Sequence, residues 1–439
     1  MIPARSQPKS GWLELFPKLW RWPKLLCLCI ALLSKRARDG LIRTPELLRA
    51  VWLMRRRFFG SHTSLGNRLQ DAAAQASPPP PNPEHQLSRG HGRAVAAFAV
   101  PSYAAGAREA YTRRYVADLA RVQSMLPPES RWIDTHCHLE SILYRTWPGG
   151  KRPRVMDNEE PMDLLALVES WPPGLEACIC NIAFQRLSES WGRMSEWEWL
   201  TETLPVLQPG TLLGSKIWFT IGIHPSDADR WGSDAERHMC SLLSHPRCVG
   251  IGECGLDFSF DHKGNEADLQ LRAFRAQASL AVETGKALVV HARQAEQLCF
   301  QVLSETVPPD HPIHVHCYSD SLEHALQLCD VWENLRIGFT GCITFALEDK
   351  GKSKGRGSKG RGKSRDRPEH FAALVQGLPL SRLLIETDGP YMCPEPFRGQ
   401  TAHPGHVHRV AERIAQLKGV PLATVMAVTR ESCRTVYGI

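Results

Sequence analysis

The sequence lacks any apolar run of membrane length in its N-terminal third. The stretch Leu25–Leu33 is nine residues long, and a bilayer span needs about 20. It also lacks the CxxC spacing of metal-knuckle or redox modules. Fourteen cysteines are spread from Cys27 to Cys433, with a Cys178-Ile-Cys180 pair but no small-domain pattern. A disulfide scaffold is therefore not expected, and a reduced intracellular protein is. No GxGxxG follows a first strand, so a dinucleotide-binding fold has no support. No lysine follows a strand where a carbamylated metal bridge would stand. A large excess of one charge is missing too: 53 Lys+Arg oppose 46 Asp+Glu, for +7 over 439 residues. With 43% hydrophobic residues and a mean hydropathy of −0.28, the chain is neither a polytopic membrane protein nor wholly disordered.

What charge there is sits unevenly. Residues 1–60 carry 13 Lys/Arg, Arg55, Arg56 and Arg57 among them, against Glu14, Asp39 and Glu46. Residues 350–367 carry nine against Asp366. Those segments hold +10 and +8, which leaves −11 for the rest. A basic average thus covers an acidic body with two basic appendages. The first 60 residues read as a basic arm for a partner, an organelle-targeting segment or a peripheral membrane helix. Ser77–Pro83 reads as a polyproline linker.

From about residue 131 the pattern changes. Eight short apolar runs read as strands: Trp132–Asp134, Ala177–Ile182, Trp218–Ile223, Cys248–Gly252, Ala287–Val290, Ile313–Val315, Arg336–Phe339 and Leu383–Ile385. Helical stretches such as Glu266–Thr284 lie between them. Alternating strand and helix predicts a parallel sheet, and eight units fit a closed α/β TIM-type (β/α)8 barrel. The expected organisation is a poorly structured basic N-terminal extension over 1–130 and a barrel over 131–439, with a basic loop insert at about 347–368.

Polar residues collect where these strands end, the face on which such barrels build active sites. Asp134, His136 and His138 alternate along the first strand and are expected to share its inward face. Glu253 follows the fourth strand between Gly252 and Cys254-Gly255. His291 ends the fifth strand, His316 the sixth, and Glu386-Thr-Asp388 the eighth. Singly, each reads as a satisfied core histidine or a solvated carboxylate. Together, five of eight strand ends carry a histidine or carboxylate. Four histidines and two carboxylates suit a binuclear divalent site, with Glu253 the natural bridge.

At these residues the chain resembles the TatD family of metal-dependent deoxyribonucleases. The matching motifs are DTHCHL at Asp134–Leu139, GIHP at Gly222–Pro225, GECGLD at Gly252–Asp257, HAR at His291–Arg293, HCYS at His316–Ser319 and ETDGPY at Glu386–Tyr391. They run in the family's order across about 70% of the chain. The resemblance implies one divalent ion (Mg2+, Mn2+ or Zn2+) on His136, His138, Glu253 and Asp388, and a second on Glu253, His291 and His316. It implies catalytic roles for Asp388 and Glu253, and substrate contacts for His224 and Arg293. Arg398, which ends the rigid PEPFRG loop, is a further candidate contact. Gln294, Asp320, Ala402 and His403 depart from residues usual in the family.

The expected activity is metal-dependent hydrolysis of phosphodiester bonds in DNA, with RNA an open alternative. Asp388 is expected to accept a proton from the attacking water. The other readings are a small amide, lactone or phosphoester hydrolase on the same barrel, and a non-catalytic nucleic-acid-binding protein with a vestigial barrel. A monomer without a transmembrane span, in the nucleus or cytoplasm, completes the expectation.

Overall fold

A computed structural model of the chain describes residues 105–146, 164–184, 196–259, 266–345 and 368–439. All of these belong to one compact unit, Ser64–Ile439. The basic arm, the Leu25–Leu33 run, the polyproline linker and the basic insert lie outside the described residues. Among the described residues, no helix is long and apolar enough to cross a membrane.

All eight expected strands form. They are β1 Trp132–Cys137, β2 Leu175–Phe184, β3 Ile217–Ile223, β4 Cys248–Asp257, β5 Ala287–Arg293, β6 Ile313–Val315, β7 Leu335–Phe339 and β8 Leu383–Ile385. They pair in parallel in sequence order. Helices flank the sheet, so strands such as β4 are buried along their whole length. That is why these strands read as near-continuous apolar runs rather than as alternating ones.

The sheet closes on itself between β8 and β1. Cys137 bridges Gly389 in parallel, the His138 amide donates to the Gly389 carbonyl at 2.7 Å, and the Asp388 amide donates to His136 O at 2.9 Å. Buried Ile133, Ala177, Ile179, Val249, Val289 and Leu384, from β1, β2, β4, β5 and β8, form one cluster with Val436 and Tyr437 of the C-terminal helix Leu422–Tyr437. Strands so far apart in an open sheet could not share a cluster. The fold is the expected (β/α)8 barrel.

Helix Glu266–Thr284 buries Gln270, Ala273, Phe274, Gln277, Ala278 and Ala281 at helical spacing. Its two glutamines clamp strand ends. Gln277 accepts from the Ile223 amide at 2.8 Å and donates to the Ile223 carbonyl at 3.2 Å. Gln270 does the same for Asp257, at 2.9 and 3.2 Å. The ends of β3 and β4 are thereby fixed beside the barrel mouth.

Within the segment read as a low-order extension, Ala105–Met125 is a 21-residue helix. Tyr111, Tyr115, Asp118 and Val122 are buried, at the three- and four-residue spacing of one helix face. Tyr111 Oη lies 3.1 Å from His403 Nε2 and 3.0 Å from His406 Nε2. Asp118 accepts from His408 and Arg409 at 2.9 and 2.8 Å, and Arg121 makes a bidentate pair with Glu412 at 2.6 and 2.8 Å. The barrel's packed unit therefore starts well before residue 131.

Candidate metal centre

Each candidate side chain leaves the C-terminal half of a strand or the residues just past it. His136 and His138 come from β1 and the residue after it, Glu253 from β4, His291 from β5, His316 from just past β6, and Asp388 from just past β8. The close approach of these strands requires glycine. Gly252 sits at φ 130°, and a Cβ there would lie 2.4 Å from the Val289 carbonyl oxygen. No other residue brings Glu253 to this position.

The two oxygens of Glu253 face different partners. Oε1 is 3.6 Å from His138 Nε2 and 4.0 Å from His136 Nε2. Oε2 is 3.3 Å from His291 Nδ1 and 2.5 Å from His316 Nε2. Asp388 Oδ1 closes the first group, 3.6 Å from His136 Nε2 and 3.3 Å from His138 Nε2. His291 Nδ1 and His316 Nε2 are 3.0 Å apart. All six ligand-type residues expected from the sequence thus come together in two groups joined by one carboxylate.

The donors fit divalent cations. His136 Nε2 is buried with no hydrogen-bond partner, although two carboxylate oxygens lie within 4.0 Å. Glu253 Oε2 is near two imidazoles yet aligned with neither as a hydrogen bond. Two atoms that each bind one ion at about 2.1 Å lie between about 3 and 4.2 Å apart, and the spacings of the first group, 3.3 to 4.0 Å, fall in that range. Orphaned buried polar atoms are costly without a partner, and a cation supplies one.

Neighbouring groups orient the ligands. His138 Nδ1 donates to the Asn181 carbonyl at 3.1 Å, so Nε2 faces the site. The Asn181 side chain donates to Glu253 Oε1 at 3.1 Å and accepts from Thr220 at 2.7 Å. His291 Nε2 donates to Asp257 Oδ2 at 3.3 Å, and the Ser259 amide holds Oδ1 at 2.8 Å. Backbone carbonyls and carboxylates behind metal-binding imidazoles are the usual arrangement.

Electrostatics reinforce the pairing. Burial alone would raise the Glu253 carboxyl, but the imidazoles of His316, His291 and His224 hold it well below its ordinary range. Burial would lower His138 and His291. Instead Asp388, Glu253 and Glu140 lift His138 to about 10, and Asp257 and Glu253 lift His291 to about 9. His136, faced by His316, is pushed well down by burial.

Asp134 does not join the centre, although alternation places it on the face of His136. The pairing register of β1 shifts between Asp134 and Cys137, and such a bulge re-aims side chains. Asp134 instead accepts from the Thr387 amide at 2.9 Å and the Thr387 hydroxyl at 2.6 Å. It pins β8 to β1 just before Asp388.

The expected substrate contacts divide. His224 and Arg293 line the cavity of about 530 Å³ that opens over the centre, together with Tyr391. His224 Nδ1 accepts from the Ser226 amide at 3.1 Å, which leaves its proton on Nε2, and burial lowers it to about 3. It also sits within ligand distance of Glu253 and His291. Arg398 does not line that cavity; its guanidinium stacks 4.4 Å from the Phe345 ring centroid.

His403 turns toward Tyr111 of the N-terminal helix rather than to the cavity, and Gln294 is exposed at φ 56°. Cys317, Asp388 and Met392 also take left-handed backbone, at φ 47°, 50° and 47°. These strained residues cluster at the strand ends that carry the site.

Sequence patterns assign no role to Asn181, Asp257, Gln270 or Gln277. Asn181 carries a signal nonetheless: it is the sole side-chain amide in the apolar β2 run.

Comparisons with known proteins place the chain in one family. The TatD related DNase family matches residues 133–438. The chain is 28% identical over 314 residues to the 3'-5' RNA nuclease TATDN2 of Homo sapiens, covering 71% of this chain and 36% of that one. It is 30% identical over 229 residues to the 3'-5' ssDNA/RNA exonuclease TatD of Escherichia coli, covering 51% and 79%. It is 31% identical over 223 residues to the uncharacterized metal-dependent hydrolase YabD of Bacillus subtilis, covering 51% and 78%. The chain thus spans about a third of the human relative's length. Among solved structures, the TatD homolog YJJV of Escherichia coli has the same fold, with a TM-score of 0.53 at 20% identity over 71% of this chain and 99% of that one. With its barrel, its strand-end ligands and the family match over residues 133–438, the chain belongs to the TatD related DNase family.

Proposed function

We propose that this chain is a metal-dependent nuclease that hydrolyses phosphodiester bonds of DNA or RNA. The observation that carries the proposal is the division of Glu253: one oxygen faces His136 and His138, the other His291 and His316. The names of the relatives, TATDN2 and TatD, support nucleic acid as the substrate class.

His136, His138, Glu253 and Asp388 would hold one divalent cation, and Glu253, His291 and His316 a second. When bound, such ions polarise the phosphoryl oxygen and neutralise charge on the attacking and leaving oxygens. The Asp388 carboxylate, on the cavity wall, takes the proton of the attacking water. His224 donates its Nε2 proton to a non-bridging phosphate oxygen, and Arg293 pairs with the phosphate from the rim. Tyr391, 39% exposed on the cavity wall, offers a ring on which a base stacks. Asn181, Asp257 and Asp134 hold the ligands in place.

The test uses end-labelled single- and double-stranded DNA and RNA, incubated with the purified chain and Mg2+, Mn2+, Zn2+ or EDTA. The expected result is shortening of at least one substrate that EDTA abolishes. Binding without cleavage under every metal would overturn the proposal in favour of a vestigial barrel.

A further inference from the structure

The hydrolysis described above leaves three sulfur atoms on the cavity wall without a role. Cys317 follows β6, Cys342 lies in the turn Gly341–Thr344 after β7, and Met392 lies in the loop after β8. These strands are neighbours, so their ends converge. Met392 Sδ is 3.6 Å from Cys317 Sγ and 3.1 Å from Cys342 Sγ. Thr340 Oγ1 stands 3.5 Å from Met392 Sδ and 3.9 Å from Cys317 Sγ.

Exposure singles out the same thiols. None of the twelve described cysteines is in a disulfide, and ten of them are buried. A buried cysteine packs as a small hydrophobe and is inert. The two that are not buried are Cys317 and Cys342, and both line the cavity with Met392. Cys317 and Met392 also hold left-handed backbone, which non-glycine residues seldom adopt without a local reason.

The donor chemistry differs from that of the adjacent centre. Imidazole and carboxylate suit Mg2+, Mn2+ or Zn2+; thiolates suit both Zn2+ and Cu(I), and a neutral thioether beside them turns the preference to Cu(I). A cation about 2.3 Å from each of two sulfurs keeps them within about 4.6 Å of one another, and Met392 Sδ lies inside that limit from each cysteine, at 3.6 and 3.1 Å. We propose that Cys317, Cys342 and Met392 form a separate site for a soft monovalent cation of the Cu(I) class. Each thiol that ligates gives its proton to solvent, and no electron is transferred. Cys317 directly follows His316, so an ion held there stands beside the hydrolytic centre.

The site is tested without measuring hydrolysis. The full chain is titrated anaerobically, under reducing conditions, against the coloured Cu(I)–bicinchoninate complex. The wild-type chain is expected to withdraw Cu(I) with a new ultraviolet thiolate-to-copper band. Cys342→Ser and the size-preserving Met392→Leu are each expected to weaken that withdrawal by about tenfold or more. His291→Ala is expected to retain it. Circular dichroism checks the fold of each variant; if Cys342→Ser does not fold, Met392→Leu alone decides. Withdrawal undiminished in Met392→Leu, or abolished equally in His291→Ala, overturns the proposal, as does no withdrawal at all.

Discussion

His291 Nε2 lies 3.3 Å from Asp257 Oδ2, and that contact decides which ring nitrogen is left to face Glu253. Once a cation displaces the second proton of His291, the remaining proton is committed to Asp257 and the lone pair of Nδ1 faces the centre. Asp257→Asn keeps the shape but weakens the acceptor. Metal affinity is expected to fall about 10- to 100-fold, measured by competition against a chromophoric chelator. An unchanged affinity would mean that Asp257 does not orient the ligand.

Asp388 is both a ligand and the proton acceptor of the proposed reaction. Its amide donates to His136 O and its carboxylate faces two imidazoles. Asp388→Asn is expected to lower turnover by about 10²- to 10⁴-fold while nucleic-acid binding, read by fluorescence anisotropy, persists. Cleavage close to wild type would remove Asp388 from the mechanism.

The strands and the six ligand-type residues are legible in the sequence because both signals are local. A strand buried on two faces is a short apolar run, and a ligand follows it directly, as His291 follows Val290 and His316 follows Val315. Alternation misplaces Asp134 because it holds only where register does, and β1 shifts register after that residue. The clamp of Gln277 on Ile223 joins residues 54 apart, so no spacing rule reveals it. Helix Ala105–Met125 escapes a sequence reading for a related reason. It carries several exposed arginines, and its apolar side is defined only by what Tyr111 and Tyr115 meet after residue 390.

That helix gives a pH prediction. Burial would raise the Asp118 carboxyl, but His408, Arg409 and Arg121 outweigh it and hold it at about 2, against about 3.9 in an unfolded chain. A depressed folded-state value means stability that is present above pH ~4 and is lost as pH falls through about 2, amounting to about 2–3 kcal/mol. Asp118→Asn is expected to be less stable at neutral pH and to show a flatter decline of stability between pH ~4 and ~2. Denaturant melts across that range check this; parallel curves for the two proteins would refute it.

The basic insert lies outside the described residues, but its flanks do not. Ile343 on one side and Phe371 on the other both line the cavity. Deleting 350–367 removes eight net positive charges. If these meet nucleic-acid phosphates, log affinity against log salt becomes shallower, by about 0.7–0.9 for each phosphate no longer neutralised. An unchanged slope would show that the insert does not touch the backbone.

Whether Glu253 joins two cations is tested most directly by counting bound metal. The purified chain is loaded with Mn2+ or Zn2+, freed of excess, and analysed by plasma mass spectrometry alongside Glu253→Ala. The account predicts about two ions per wild-type chain and loss of stable binding in the variant, since Glu253 is the one carboxylate common to both groups. A single ion in the wild type, or a count that Glu253→Ala leaves unchanged, would contradict it.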